Sequence, residues 1–110
     1  MKSGRKQNNA IKPNMAKYSI SQLASYDLDD IADYTIQAFG LTQAANYADG
    51  LKTCLENLTQ FKKRGRAADE LAPNLRAMEY QSHTIFYQIN EPDILIVRIL
   101  HQSQDARKHL

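Results

Sequence analysis

Several side chains in this sequence are of the types that move protons or hold a phosphate: His83, His101, Tyr80 and Tyr87, with Arg64, Arg66, Arg76 and Arg98. Cleavage of an RNA phosphodiester needs a base for the 2′-hydroxyl, an acid for the leaving oxygen and cations for the transition state, and this set contains each type. Metal binding fits less well. His83, His101 and His109 show no i, i+4 pair, and Cys54 is the only cysteine, so neither a multi-cysteine zinc site nor an internal disulfide is available. Cys54 reads as helix core rather than as a reactive thiol. Arg98 interrupts an apolar run, where a cation needs a partner or a route to solvent. It is either an anchor for a binding partner, a salt bridge to a residue such as Glu79, or a side chain that reaches past the sheet edge.

The elements that must position these groups follow from periodicity. Residues 17–21 alternate, with Tyr18 and Ile20 on one face of a short strand. Between Gln22 and Phe39, the residues Ala24, Leu28, Ile31, Ala32, Thr35 and Phe39 recur at helical spacing. Asp27, Asp29, Asp30 and Asp33 are placed largely on or beside the opposite face. Ser21 suits the N-cap and Gly40 the C′ position. Thr42 is expected to cap a second helix whose inward positions read Ala44, Tyr47, Ala48, Leu51, Cys54 or Leu55, Leu58 and Phe61. The short link makes the two helices an antiparallel hairpin. Gly50 inside the second helix predicts a close helix–helix approach there. Lys62, Lys63, Arg64 and Arg66 place cations at the negative helix end, with Gly65 to turn the chain. Residues 67–74 are expected to be loop. Strands over residues 75–81, 84–89 and 94–101, with turns at residues 81–83 and 90–93, should form an antiparallel meander. The last strand is apolar almost throughout, as suits a central strand covered on both faces, or one with a face covered by the C-terminal tail. Residues 102–110 are polar and begin a last helical turn. The order is β-α-α-β-β-β, an α+β domain with a helical hairpin packed on a twisted, mainly antiparallel sheet.

At 110 residues and 43% hydrophobic, the chain suits one domain with a modest core. Its longest apolar runs fall far short of the roughly 20 residues that span a bilayer, and no secretion signal is evident, so a cytoplasmic location is expected. The net charge of +2 is unevenly divided. Lys2, Arg5, Lys6 and Lys12 place four positive and no negative charges in residues 1–14; the ten remaining basic residues face twelve acidic ones, a balance of −2. Residues 1–14 have a single large aliphatic side chain, Ile11, and read as a disordered basic tail or extension, with Met15 an alternative or true start and residues 15–110 the folded domain. A basic arm that grips nucleic acid is the functional reading of that tail. The aspartates between Asp27 and Asp49 would repel nucleic acid from the outer face of the hairpin, which favours a protein partner.

The runs Asp27-Leu28-Asp29-Asp30-Ile31, Tyr34-Thr35, Phe39-Gly40, Gln43-Ala44 and Tyr47 resemble the helical hairpin of ParE-type toxins in the RelE/ParE superfamily. Gly65-Arg66, Leu75-Arg76, His83-Thr84-Ile85-Phe86-Tyr87 and the run from Val97 to Asp105 are similar to later landmarks of that family, in the same order. The resemblance covers about residues 16–110. It implies the toxin of a type II toxin–antitoxin, or plasmid-stabilisation, system that inhibits DNA gyrase without catalysis or a cofactor and is neutralised by a ParD-like antitoxin. The antitoxin would lie on the hairpin or add to the sheet edge.

A RelE-like ribosome-dependent messenger-RNA endonuclease shares the fold and is the alternative. Such enzymes use a basic cluster across the sheet and usually a C-terminal aromatic; here no lysine occurs between Lys63 and Lys108, and no tyrosine follows Tyr87. A degenerate member that binds antitoxin without poisoning a target is a further alternative. On the toxin reading, Arg98, His101 and Arg107, with residues 102–110, would contact the target, and Arg64, Arg66, Arg76, Tyr34 and Tyr47 the antitoxin. The bland readings stand beside these. His101 would satisfy a neighbouring backbone or carboxylate group, Lys62 to Arg66 would be a solvated helix end, and Tyr34, Phe39 and Tyr47 would pack between the helices.

Overall fold

The computed structural model describes residues 16–110; the proposed basic tail and the proposed start at Met15 lie outside the described residues. The elements are β1 (Tyr18–Ile20), α1 (Gln22–Phe39), α2 (Leu41–Gln60), β2 (Arg66–Ala67), β3 (Leu75–Tyr80), β4 (His83–Asn90), β5 (Asp93–His101) and α3 (Ala106–His109). They form a five-stranded sheet in the order β1-β5-β4-β3-β2. β3, β4 and β5 make the expected antiparallel meander, and β1 runs parallel to β5 in the register Tyr18↔Ile94 to Ile20↔Ile96. The fold is the expected α+β arrangement.

The apolar stripes of the hairpin cover one face of this sheet. Ala24, Leu51, Leu55 and Leu58 meet Ile85, Tyr87, Ile94, Ile96 and Ile99, with Leu28, Ile31 and Cys54 packed alongside. Full burial of an aliphatic side chain of this kind stabilises by about 1.5–3 kcal/mol. A smaller cluster of Ala68, Leu75, Ala77, Phe86 and Leu100 is joined by Val97 and by Ala106 of the C-terminal turn. β5 therefore feeds both clusters, as its apolar run suggests. Alternation along the strand serves both faces, and a register shift, in which Phe86 pairs with Arg98 and Tyr87 with Ile96 and Val97 is an extra residue in β5, puts Ile99 on the same side as Ile94 and Ile96.

The structure corrects several expectations. The segment 67–74 is not wholly loop, because Arg66–Ala67 pairs with β3 at Ala77 and Arg76. Composition could not reveal a strand this short, which exists only because β3 offers an edge. α2 starts at Leu41 with Gly40 (φ 90°) at its N-cap position and no side-chain cap, so Thr42 is inside the helix. Gly40 already reverses the chain with a positive φ that a side chain would disfavour. Ser21 does cap α1, its side chain accepting from the Ala24 N–H at 3.0 Å. The close approach at Gly50 is to the sheet rather than to α1: a Cβ there would collide with the Tyr80 hydroxyl of β3. His83 belongs to β4, not to the turn before it.

Candidate functional site

β1 pairs with β5 only as far as Ile96, after which the chain turns into α1, and among the described residues no strand covers the rest of that edge of β5. Side chains take over. Ser21 Oγ donates to the Val97 carbonyl at 2.7 Å, Asp27 Oδ2 accepts from the Ile99 N–H at 3.0 Å, and Gln104 Oε1 accepts from the His101 N–H at 2.8 Å. Asp27 also binds Arg98 as a fork, with Nε to Oδ2 at 2.8 Å and Nη2 to Oδ1 at 2.9 Å. The side chains are only 13% and 12% exposed, so this pair is largely desolvated and each ion depends on the other. Arg98 Nη1 donates onward to the carbonyl of His109 in the C-terminal turn at 2.6 Å. Arg98 thus has a carboxylate partner, but it is Asp27; Glu79 instead accepts from Thr84. Asp27 faces the sheet edge, off the acidic outer face to which its neighbours belong.

Beside this edge is a cleft of about 670 Å³, between the tip of the hairpin, the turn joining β3 to β4, and the end of β5. Asp27, Asp30 and Tyr34 of α1 form one wall, Tyr47 of α2 the next, and His83 and His101 the far side. The imidazoles stand edge-to-face with centroids 5.3 Å apart. His101 Nδ1 receives the backbone N–H of Ser103 at 3.1 Å, so in the neutral ring the proton sits on Nε2. His83 Nδ1 meets the Tyr47 hydroxyl at 2.5 Å. Burial pushes the Tyr47 phenol up, and burial with the nearby His101 pushes His83 below the usual histidine value, against an opposing pull from Asp27. His83 is therefore uncharged at neutral pH and the phenol is protonated. A smaller, mainly apolar crevice of about 210 Å³ between the hairpin and β1 is walled by Leu28, Ile31, Leu51 and Leu55, with Tyr47 and Lys52 also in its lining, and has no histidine.

The groups suited to phosphodiester chemistry do not converge. His83 and His101 share the cleft, while Arg66 and Arg76 lie beyond the other end of α2, a helix of 20 residues and about 30 Å, and Arg64 lines a separate crevice with Gly50, Cys54 and Tyr80. Arg76 spends its guanidinium on the carbonyls of Gly65, at 2.5 and 3.1 Å, and Lys63, at 3.2 Å. Arg64 sits over the Phe61 ring at 4.9 Å, and Arg66 reaches Glu70 at 3.5 Å in an exposed pair that adds little stability. Tyr87 is buried; its hydroxyl donates to the Lys62 carbonyl at 2.6 Å and accepts the Gly65 N–H at 3.0 Å, fixing the chain after α2. Tyr80 supports Tyr47 edge-to-face at 5.2 Å. Cys54 packs against the core and burial raises its thiol, as a structural cysteine requires.

The aromatic residues of the hairpin do not pack between the helices. Tyr34 and Phe39 are 65% and 61% exposed and touch each other edge-to-face, while Tyr47 turns toward the sheet against Tyr80 and His83. Arg107 is exposed on α3. The residue that sequence reasoning missed is Asp27. Its signal was its position three residues after buried Ala24 and four before Ile31, at the border of the apolar stripe.

A helical hairpin laid across this mixed sheet defines a RelE/ParE-like α+β domain. A solved structure, "Chromosomal ParDE TA system from P. aeruginosa", superposes with a TM-score of 0.68 over 79% of this chain and 96% of that one, at 20% identity, a likeness of fold. The family described as ParE toxin of type II toxin-antitoxin system, parDE, matches residues 18–106. Toxin ParE1 of Caulobacter vibrioides is 38% identical over 96 residues, covering 87% of this chain and 99% of that protein. Toxin ParE1 of Mycobacterium tuberculosis is 34% identical over 96 residues, covering 86% and 98%. The chain belongs to the ParE toxin family of type II toxin–antitoxin systems.

Proposed function

We propose that this ParE-family toxin acts without catalysis, by binding and inhibiting DNA gyrase in the cytoplasm, and that a ParD-like antitoxin neutralises it. The observation that carries the non-catalytic reading is the separation just described: two imidazoles at one end, and arginines at the other or bound internally by Asp27 and by backbone carbonyls. A ribonuclease would need cations facing its base and acid, because the transition-state charge develops between them. Inhibition is then a matter of affinity. His101, Arg107 and residues 102–110 contact the target. Tyr34 and Tyr47 at the cleft, with Arg64 and Arg66 at the far end of α2, receive the antitoxin, and Arg76 holds the backbone on which Arg64 and Arg66 are displayed. The structural neighbour from P. aeruginosa is a ParDE system by name, which supports the choice of antitoxin. Residues 15–110 suffice for both activities.

The test is a supercoiling assay with purified gyrase, ATP and relaxed plasmid, run beside ribosome-programmed RNA cleavage. Lost supercoiling or accumulated cleaved plasmid, with RNA intact, is expected. Codon-dependent RNA cuts with normal supercoiling would establish the nuclease instead, and silence in both would mark a degenerate member.

A further inference from the structure

The C-terminal turn α3 has four residues, Ala106–His109, of which three, Arg107, Lys108 and His109, are basic in type, and none of the four is buried. Such a short turn has little intrinsic stability in water. Three devices hold it. Asp105 caps it by accepting from the Arg107 N–H at 3.0 Å, Ala106 packs against the smaller core cluster, and Arg98 donates to the His109 carbonyl at 2.6 Å. The last contact reaches the far end of the turn, where the other two do not.

Arg98 can make that contact because its remaining donors are fixed. Asp27 grips Nε and Nη2 and is itself aligned by the Ile99 N–H, so the fork is oriented by contacts that do not involve the turn. A lysine has its three donors on one nitrogen and would lose the two-point grip on Asp27 that aims the third donor at His109. We propose that Asp27 and Arg98 are positioning residues that hold the basic C-terminal turn in place as a preformed contact for an anionic patch on the target. This rests on the gyrase reading for the identity of the target, not for the tether itself. Ordering the turn before encounter removes the entropy loss that a frayed tail would suffer on binding. It also explains an arginine inside an apolar strand without asking it to touch the target.

The experiment has two independent readouts on the full chain, Arg98→Gln, Arg98→Lys, Asp27→Asn, a chain lacking residues 106–110, and that deletion combined with Arg98→Gln. Amide exchange of residues 106–110 should accelerate about tenfold or more in all three point variants while β3 and β4 keep their rates, as loss of a charge-assisted hydrogen bond implies. Should Arg98→Gln prove unstable, Arg98→Lys, which keeps the charge and stem, decides. Unchanged exchange in the tail would overturn the tether. In the supercoiling assay, Arg98→Gln should raise the half-inhibitory concentration about tenfold in the full chain and have no further effect in the truncated one. An equal effect in both backgrounds would make Arg98 a fold-wide residue and overturn the proposal, as would a truncated chain as potent as the intact one. If the intact chain does not inhibit gyrase, the gyrase reading fails alone, and the exchange measurement still decides the tether.

Discussion

His83 carries its chemistry through its neighbours. It meets the Tyr47 hydroxyl from α2, the His101 ring from β5 and the field of Asp27 from α1, and burial outweighs the favourable pull of that carboxylate. Its folded pKa lies below the ordinary 6.5, so the folded state disfavours the proton. The sign follows from linkage: above pH 6.5 both folded and unfolded states hold a neutral ring, and stability is fully present. As pH falls below 6.5 the unfolded chain takes up the proton first, and stability declines until the folded pKa is passed. Thermal midpoints measured from pH 7.5 to pH 5 should therefore fall on acidification, and His83→Gln should flatten the slope across that interval. A slope unchanged by the substitution would place the proton uptake elsewhere. The same reasoning explains why the His83 imidazole is uncharged in the cleft: burial and the neighbouring His101 ring both disfavour a cation there.

At the scale of elements, α2 is held to the sheet by shape as well as by apolar area. Gly50 leaves room for the Tyr80 hydroxyl, and Tyr80 in turn supports Tyr47 at the cleft. In an open helix, Gly→Ala would gain about 1 kcal/mol. Here the added methyl must displace the phenol, and overpacking of this kind costs about 1–3 kcal/mol. Gly50→Ala is expected to lower stability in urea denaturation, and Tyr80→Phe in the same chain should recover most of the loss by removing the oxygen that collides. Stabilisation by Gly50→Ala alone would mean that helix and sheet separate there at little cost. The edge of β5 follows a related logic. β1 is three residues long, and where it ends the backbone donors of Ile99 and His101 need acceptors, which α1 and the C-terminal segment supply.

Over the whole molecule, both core clusters draw on residues from Tyr18 to Ala106, the same span that the family match covers to its last residue. The four positive charges and single large aliphatic residue of positions 1–14 leave little apolar surface to contribute. A chain beginning at Met15 should thus unfold in a single transition with a midpoint within about 2 °C of the full chain, because a shift of 1 kcal/mol would move a domain of this size by about 4–8 °C. Circular dichroism during a thermal ramp measures this, and a clearly lower midpoint would assign residues 1–14 a part in the fold. Charge is also segregated across the molecule. Lys62, Lys63, Arg64 and Arg66 cluster after α2, while Asp29, Asp30 and Asp33 stay exposed on α1. On the proposed function, an antitoxin segment laid along the hairpin would meet both signs along its length.

Periodicity and turn residues determined the hairpin, the meander and the order of elements, because each depends on local spacing along the chain, while the family resemblance came from particular residue runs in a particular order. The apolar run around Arg98 also marked it as a cation requiring a partner, and left His101 between a target contact and a residue answered by its neighbours; the His101 ring accepts the backbone N–H of Ser103. Only the tertiary structure decided that the partner is Asp27, that β2 forms opposite Ala77, and that Gly50 makes room for Tyr80. Each of these joins residues far apart in the chain, and a carboxylate on the border of an apolar stripe reads the same in sequence whether it turns to water or to the sheet. Which way Asp27 turns was settled by the edge of β5, where the end of β1 left an N–H and an arginine in need of one acceptor.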